Sequence, residues 1–315
     1  MKYYRYEEWQ LKKHINDYFI IVTGPRWTGK SYFIREFMKR SNLNYIIIDA
    51  FKAWKEKKSW LERAIINDTK KSLRNRAPVG VITSFRNVEA ENFDNFRSFL
   101  RALKDETYVI IDHADYLRYA RGIDFREVAQ EWIDKRDKVH FVFVAKGTPA
   151  LLSYLGPQDP QSPLFMRYEK YVEVVELSPN ETIKFLEDFL RLSKYMHSNF
   201  PDGFETYQDI GGLRGYLKKF VEVGCNEQKL RELLRNELKE EIRGKNTWRV
   251  LEVIARYTRI YGYADKKIIE KKVGKNFDNL RKSIEESLIN NGLVMPASSN
   301  TYKTPKILAK FLPQK

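Results

Sequence analysis

The feature that most restricts the fold of this chain is a glycine-rich loop between an apolar run and an amphipathic run. Residues 17–23 are rich in β-branched and aromatic side chains, which predicts a buried strand. Residues 32–38 repeat apolar side chains at helical spacing. Between them the chain reads Gly24-Pro25-Arg26-Trp27-Thr28-Gly29-Lys30-Ser31, which matches the pattern G-x-x-x-x-G-K-[ST]. A strand, a loop of this kind and a helix predict a P-loop in an α/β domain.

This loop predicts binding of the phosphates of a nucleotide, and we expect ATP with Mg²⁺. Gly24 and Gly29 let backbone N–H groups surround phosphate oxygens, and the following helix N-terminus favours negative charge. Lys30 is expected to reach the β- and γ-phosphates, and the Ser31 hydroxyl is an oxygen ligand of the kind that Mg²⁺ prefers. The other expected nucleotide contacts are Pro25, Arg26, Trp27, Thr28 and Tyr32.

A second apolar run, Thr107–Asp112, ends in an acid and predicts a buried parallel strand that carries a ligand for the magnesium. In many ATPases a glutamate follows this acid and orients or deprotonates the attacking water, but here His113 follows Asp112. Three interpretations stay open. Asp115 takes over the role of the glutamate, His113 positions the water, or the site binds ATP and hydrolyses it poorly.

The remaining apolar runs of the first half predict a mainly parallel sheet. Strands are expected at 45–49, 140–145 and 172–177, and helices at 60–73, 95–103 and 125–135 separate the strands. Residues 79–83 are ambiguous. The predicted nucleotide-binding α/β domain covers residues 1–177.

The second half of the chain reads as helices followed by a hairpin. Helical patterns at 182–195, 212–221 and 227–238 predict a small helical lid over residues 178–240. Three further helices at 247–257, 264–271 and 276–290 precede a hairpin at 293–303. Three helices and a hairpin predict a winged helix-turn-helix domain over residues 241–315.

The charge of the chain indicates a polyanionic partner. The formal net charge is +15, and residues 240–315 hold 16 Lys and Arg against 8 Asp and Glu. Such a basic footprint favours double-stranded DNA, contacted by residues 241–315. Two alternatives stay open: winged helices also mediate protein contacts, and a composition rich in Lys, Arg, Ile and Tyr is typical of some thermophile proteins. The expected DNA contacts are Lys275, Asn279, Arg281, Lys282 and the wing at 298–303.

Four motifs occur together in an order that resembles the archaeal ATPase family, which consists of AAA+-related, STAND-like P-loop ATPases. They are the opening Gly24-Pro25-Arg26, the strand ending at Asp112, Pro163-Leu164-Phe165-Met166-Arg167 and Gly211-Gly212-Leu213-Arg214-Gly215. The resemblance covers most of the chain. It implies ATP hydrolysis that is coupled to movement of the lid and the winged helix.

The resemblance also implies roles for individual residues. Thr148 matches the polar residue that senses the γ-phosphate, although a helix-cap threonine before a proline is an equal alternative. Arg214 stands where AAA+ relatives such as archaeal initiators carry a sensor arginine, and Arg167 has a similar implied role although Met166 replaces the usual glycine. A plain surface role is the alternative for both arginines. Residues 4–11 match the segment that flanks the adenine.

Compartment and assembly follow from simpler observations. The single cysteine, Cys225, has no partner for a disulfide, and the chain shows neither a signal peptide nor an apolar run long enough to cross a bilayer. We therefore expect a cytoplasmic protein without a membrane segment. Self-association is open, because an arginine finger acting on a second copy cannot be chosen among Arg118, Arg121, Arg126 and Arg167.

Two alternatives to a DNA-coupled ATPase follow from the motifs. A regulator that senses ATP without hydrolysing it is favoured by His113. A P-loop kinase is disfavoured, because the α/β part contains no compact lid rich in arginines.

Overall fold

The computed structural model describes residues 3–52, 61–73, 82–86, 90, 92–120, 123–135, 138–145, 148–166, 171–192, 202–242 and 244–312. The chain divides into two compact units. The first consists of Met1–Gly24 and Lys30–Val174, and the second of Pro25–Gly29 and Val175–Lys315. Each unit is described by itself.

The first unit is built on a six-stranded sheet in the order β3-β2-β4-β5-β1-β6. Only β3 is antiparallel to its neighbour, and the other five strands are parallel. The mainly parallel α/β architecture expected from the sequence is confirmed. The strands are β1 Phe19–Thr23, β2 Tyr45–Asp49, β3 Ile82–Arg86, β4 Thr107–Asp112, β5 Val139–Val144 and β6 Tyr171–Glu173.

Helices bury both faces of this sheet. Every residue of β1, β2, β4 and β5 is buried, and alternate positions of each strand belong to two separate apolar clusters. Coverage of both faces explains why these strands are continuous apolar runs. The helices are α1 Arg5–His14, α2 Lys30–Arg40, α3 Leu61–Leu73, α4 Phe96–Ala102, α5 Phe125–Lys135 and α6 Thr148–Leu155, with a 3₁₀ turn at Ala114–Tyr119.

Two strand predictions differ from the structure in their bounds. The strand expected at 172–177 ends at Glu173, because Leu177 instead receives a backbone partner in the second unit, the carbonyl of Gly212 at 3.0 Å. The ambiguous stretch 79–83 overlaps the edge strand β3 at Ile82, and its residues 79–81 lie outside the described residues. The segment at residues 4–11 lies mostly in α1, which the sequence analysis does not predict as a helix.

The second unit contains helices and a small antiparallel sheet. The helices are α7 Pro179–Leu192, α8 Gly203–Ile210, α9 Arg214–Glu222, α10 Glu227–Glu241, α11 Lys245–Tyr261, α12 Lys266–Val273, α13 Phe277–Lys282 and α14 Lys306–Phe311, with a π turn at Ser283–Ile289. The strands β7 Ala264–Asp265, β8 Met295–Ser298 and β9 Thr301–Lys303 form a sheet in the order β7-β9-β8.

The last third of the chain has the elements that its sequence predicts, with three additions. Helices α11, α12 and α13 precede the hairpin of β8 and β9, as expected. The structure adds strand β7 before α12, a π turn where one continuous helix is expected, and the terminal helix α14, which packs on α11 and α8. The boundaries at residues 177 and 240 stay predictions. None of the helices in the described ranges combines the length and apolar character that a bilayer crossing requires.

Candidate nucleotide-binding site

The glycine-rich loop begins at a position that only glycine fits. Gly24 directly follows β1 and has φ of 125°, in the region that favours glycine. A Cβ placed on Gly24 would lie 2.1 Å from the carbonyl oxygen of Val174, which is far inside van der Waals contact. The sharp turn out of β1 therefore depends on the missing side chain, as the motif predicts.

Lys30 begins α2 and is buried beside the start of the loop. Its Nζ donates to the carbonyl oxygen of Gly24 at 3.0 Å, and only 6% of the residue is exposed. Ser31 follows it in a half-buried position, whereas Tyr32 is 60% exposed. Near Tyr32 the ring of Tyr4 is buried, 5.2 Å from Phe33. The motif lysine and serine thus share the first turn of α2, next to Gly24.

The middle of the loop, Pro25–Gly29, belongs to the second unit, where α9 contacts it. Trp27 has φ of 65°, its carbonyl accepts from the N–H of Gly215 at 2.8 Å, and its ring centre lies 4.4 Å from that of Tyr216. The hydroxyl of Thr28 donates to the carbonyl of Pro25 at 2.9 Å, which closes the turn. Left-handed φ at Trp27 is unusual for an aromatic residue and is maintained here by these contacts.

Arg214, the predicted sensor arginine, lies against this segment of the loop. It is the first residue of α9 and is 5% exposed. Its Nη1 donates to the carbonyl of Thr28 at 3.3 Å and to the carbonyl of Val175 at 2.6 Å. The plain surface role considered for Arg214 is therefore wrong, because the guanidinium is buried. Its role towards a nucleotide stays a prediction.

Arg26 forms a buried ion pair within the second unit. Its guanidinium is bidentate to the carboxylate of Glu241, with Nη2 donating to Oε1 at 2.6 Å and Nη1 donating to Oε2. It also stacks over the ring of Trp27, 4.3 Å from the ring centre. Arg26 is 6% exposed. A loop residue that the motif leaves unspecified is thus one of the best-anchored cations of the unit.

Acidic side chains end two neighbouring strands of the parallel sheet. Asp49 of β2 is in register with Asp112 of β4, and both are buried. β5 separates β4 from β1, so the acidic strand ends are not immediate neighbours of the loop strand. All these strands are parallel and their carboxyl ends meet at one edge, where ligands bind in open α/β sheets.

His113 links these two acids. Its backbone, at φ of 54°, donates from N–H to Asp112 Oδ1 at 3.0 Å, and its Nδ1 lies 3.2 Å from Asp49 Oδ1. Burial raises the pKa of Asp49, but the hydrogen bond and charge of His113, together with the N–H of Lys52, outweigh it and hold the pKa below its ordinary value. The histidine that replaces the expected glutamate is thus oriented by a second carboxylate.

The other predicted site residues lie in three kinds of position. Asp115 is 3% exposed in the 3₁₀ turn after β4, and Thr148 is the first residue of α6, with no description of its side chain. Arg167 lies outside the described residues. Met166, which takes the place of a usual glycine, has φ of 57°, so the loop keeps a backbone conformation that glycine favours.

The finger candidates differ in freedom. Arg118 is exposed and lies over the ring of Tyr119, whereas Arg126 is bidentate to Asp124, with 2.7 Å between Nη2 and Oδ2. The hydrogen bond to Asp124 raises the pKa of Arg126. Arg121 and Arg167 lie outside the described residues. Arg118 is therefore the better placed of the two described arginines to meet a second copy.

The residues predicted to hold Mg²⁺ fit its chemistry. Asp112 supplies a carboxylate at the end of β4, and Ser31 supplies a hydroxyl in the first turn of α2. Within the described ranges no group of three or more His, Cys, Asp and Glu could hold a metal. Mg²⁺ keeps several waters and commonly takes one or two protein oxygens with the phosphates of its substrate, so a set of two oxygens suits it.

The predicted DNA contacts are all on the surface. Lys275, Asn279, Arg281 and Lys282 are exposed around α13, and Arg281 pairs with Glu285 at 3.0 Å. Ser298 and Thr301 join the two ends of the hairpin turn through their hydroxyls at 2.7 Å. Their exposure is compatible with binding a partner and does not identify one.

Two residues of this region escaped the sequence analysis as site residues. Asp49 had a signal, because it ends a predicted strand as Asp112 does. Glu241 had none, since it is one of several acids in a charged helix. Only the fold brings it to Arg26.

The fold is similar to that of a Walker-type ATPase of Pyrococcus abyssi. The TM-score is 0.77, the likeness covers 98% of this chain and 95% of that chain, and the sequences are 18% identical. Identity at this level shows a shared fold alone. The first unit of this protein therefore has a P-loop α/β fold in both topology and loop geometry.

Two further solved structures match more weakly. A Thermotoga maritima RuvB variant has a TM-score of 0.45 at 12% identity and covers 96% of this chain and 91% of its own. The Aeropyrum pernix ORC2 protein in its ADP form has a TM-score of 0.46 at 12% identity, with 96% and 88% coverage. Scores of this size carry no argument about this chain. No family model matches the sequence, and no curated protein matches it significantly.

Proposed function

We propose that this protein is an AAA+-related, STAND-like ATPase that couples its nucleotide state to DNA binding. The observation that carries the proposal is the loop at Gly24–Lys30, where a side chain on Gly24 would collide with Val174 and a buried lysine begins the helix. This combination suits phosphate binding by backbone N–H groups and a helix N-terminus. Nothing in ordinary packing requires it.

The proposed chemistry assigns each residue one task. Backbone N–H groups of residues 25–31 bind the phosphates, and Lys30 moves from the carbonyl of Gly24 to a phosphate oxygen. Asp112 and Ser31 hold Mg²⁺, which neutralises phosphate charge when bound. Asp115 or His113 positions the attacking water. Thr148, Arg167 and Arg214 respond to the γ-phosphate, and Arg214 does so from its place beside Thr28.

The test is phosphate release from ATP with Mg²⁺, with and without double-stranded DNA. The native protein is compared with Lys30→Ala and Asp115→Ala. We expect release that DNA stimulates and that both substitutions abolish. Release that is equal in the native protein and Lys30→Ala would refute hydrolysis at this loop.

A second candidate is a nucleotide-sensing regulator that binds ATP without turnover. The observation that favours it is His113, which occupies the position of the usual glutamate and is oriented by Asp49. ATP binding that depends on Lys30, with no phosphate release under any condition, would establish this candidate. Turnover above the level of Lys30→Ala would exclude it.

We further propose that residues 241–315 form a winged helix that binds double-stranded DNA, and that the protein works in the cytoplasm, with self-association as a further possibility of assembly. The exposed cations around α13 support this. Replacing Lys275 and Lys282 with alanine should lower the slope of log affinity against log salt by about one per phosphate contact. The matched control replaces Lys12 and Lys218, two exposed lysines outside this range. Equal losses in both pairs would argue against a specific DNA surface.

A further inference from the structure

The ion pair of Arg26 and Glu241 joins the phosphate-binding loop to a residue 215 positions later. The side chain of Arg26 is 7% exposed and that of Glu241 is 20% exposed. Nη1 of Arg26 is also 3.4 Å from the carbonyl oxygen of Asn291. The edge of the guanidinium formed by Nη1 and Nη2 is thus taken up by oxygen acceptors of the second unit.

Carboxylate and phosphate compete for this kind of site. A guanidinium presents a planar pair of N–H groups that suits either anion in a bidentate contact. Arg26 is the third residue of the loop, between Gly24 and Gly29, which the proposed function assigns to phosphate binding. An ATP phosphate at this loop therefore meets an arginine whose paired N–H groups already bind Glu241.

Glu241 stands at the junction that leads into the C-terminal module. It is the last residue of α10, the N–H of Ile242 is bonded to the carbonyl of Leu238 at 2.8 Å, and Gly244 has φ of 106° before α11 begins at Lys245. Loss of the carboxylate contact would free the end of α10. The connection to α11 would be the first part of the chain to respond.

The surroundings of the ion pair are not fully satisfied. The hydroxyl of Tyr216 is buried beside Trp27, and no hydrogen-bond partner for it exists among the described residues. Most buried polar groups in folded proteins have a partner. A network with one unpaired buried hydroxyl is a suitable place for a second arrangement of similar free energy.

We propose that Arg26 is a switch residue, bound by Glu241 in the nucleotide-free protein and by phosphate oxygens when ATP occupies the loop. Glu241 then acts as an internal competitor that lowers ATP affinity, and ATP releases the junction of α10 and α11. This inference rests on the proposed function, since it requires ATP at this loop. By linkage, any condition that opens the junction raises ATP affinity by the same factor.

The first experiment measures ATP affinity of the native protein, Glu241→Gln and Glu237→Gln. Glu237 is the matched control, because it lies one turn earlier on α10 and pairs with Lys219 instead of Arg26. We expect Glu241→Gln to bind ATP about 5 to 150 times more tightly, the usual range for coupled sites, and Glu237→Gln to stay within about twofold. In an Arg26→Ala background Glu241→Gln should have no effect. Equal affinities for Glu241→Gln and Glu237→Gln would overturn the switch.

The second experiment uses hydrogen exchange of the native chain and does not depend on any variant folding. Saturating ATP should speed exchange at residues 238–242 at least about fivefold, including the bonded N–H of Ile242. Unchanged exchange there with ATP bound would overturn the switch and leave the ATPase proposal intact. Failure of the native protein to bind ATP at all would overturn both proposals.

Discussion

Two cations of the same loop are anchored in opposite ways. Lys30, within the first unit, donates to a carbonyl only six residues earlier at 3.0 Å. Arg26, within the second unit, pairs with a carboxylate 215 residues later. A ligand can take Lys30 from its partner without disturbing any distant element, whereas taking Arg26 from Glu241 alters the end of α10. The comparison separates the local chemistry of phosphate binding from its long-range consequences.

The largest effect is expected from removing the distant partner. Glu241→Ala should lower the free energy of unfolding by about 3 kcal/mol, because it leaves the buried guanidinium of Arg26 without its counter-charge. Urea unfolding measures the change. The double variant Arg26→Met with Glu241→Leu should recover most of the loss, since neither charge is then buried alone. A loss under about 0.5 kcal/mol for Glu241→Ala would show that the pair is as weak as a surface salt bridge.

The next effect concerns the local end of the loop. Gly24→Ala should lower the free energy of unfolding by about 2 kcal/mol, because its Cβ would collide with the backbone of Val174 and its φ is unfavourable for alanine. Thermal unfolding measures it. Gly224→Ala is the control, since its φ of 71° is also positive but nothing lies within 4 Å of the added Cβ. Equal losses would mean that backbone strain alone, without the close approach to Val174, accounts for the effect.

Lys30→Ala should separate binding from stability. ATP affinity should fall about tenfold or more, as the loss of a hydrogen bond to a charged group implies, while the free energy of unfolding should change by no more than about 1 kcal/mol. Calorimetric titration and thermal unfolding of the same samples check both. Should stability fall as far as in Glu241→Ala, the two cations would not differ in the way described above.

The smallest effect is the pH dependence at the acidic strand ends. Asp49 has a lowered pKa in the folded protein, so its stabilising contribution is present above its ordinary pKa of about 3.8 and is lost as pH falls through the folded pKa. The stability advantage of the native protein over Asp49→Asn should therefore shrink in acid below that value. Urea unfolding at several pH values tests this. An advantage that grows in acid would contradict the assigned direction.

Much of the first unit was predictable because its signals are local. The strands ending at Thr23, Asp49 and Asp112 are short continuous apolar runs, and the loop pattern specifies where glycine and lysine must stand. The segment at 172–177 fails because a strand of period two and a chain that leaves the sheet read alike. Its later residues bond to the second unit instead.

The site was predictable only in part, for a similar reason. The motif indicates that Lys30 stands near phosphates and that Asp112 stands near the metal, but it says nothing about which carboxylate faces Arg26. His113 is visible in the sequence as a departure from the usual glutamate. That it is oriented by Asp49 depends on β2 and β4 being neighbours in register, which no local pattern encodes.

The sequence by itself determined the loop, its flanking strand and helix, and the alternation that makes the first unit an α/β fold. These depend on side-chain period, on glycine at Gly24 and on the order of short segments. Tertiary structure alone decided the partners of Arg26, Arg214 and His113. The physical reason is that a buried charge must find a counter-charge or a carbonyl at close range, and which one it meets depends on how distant segments pack.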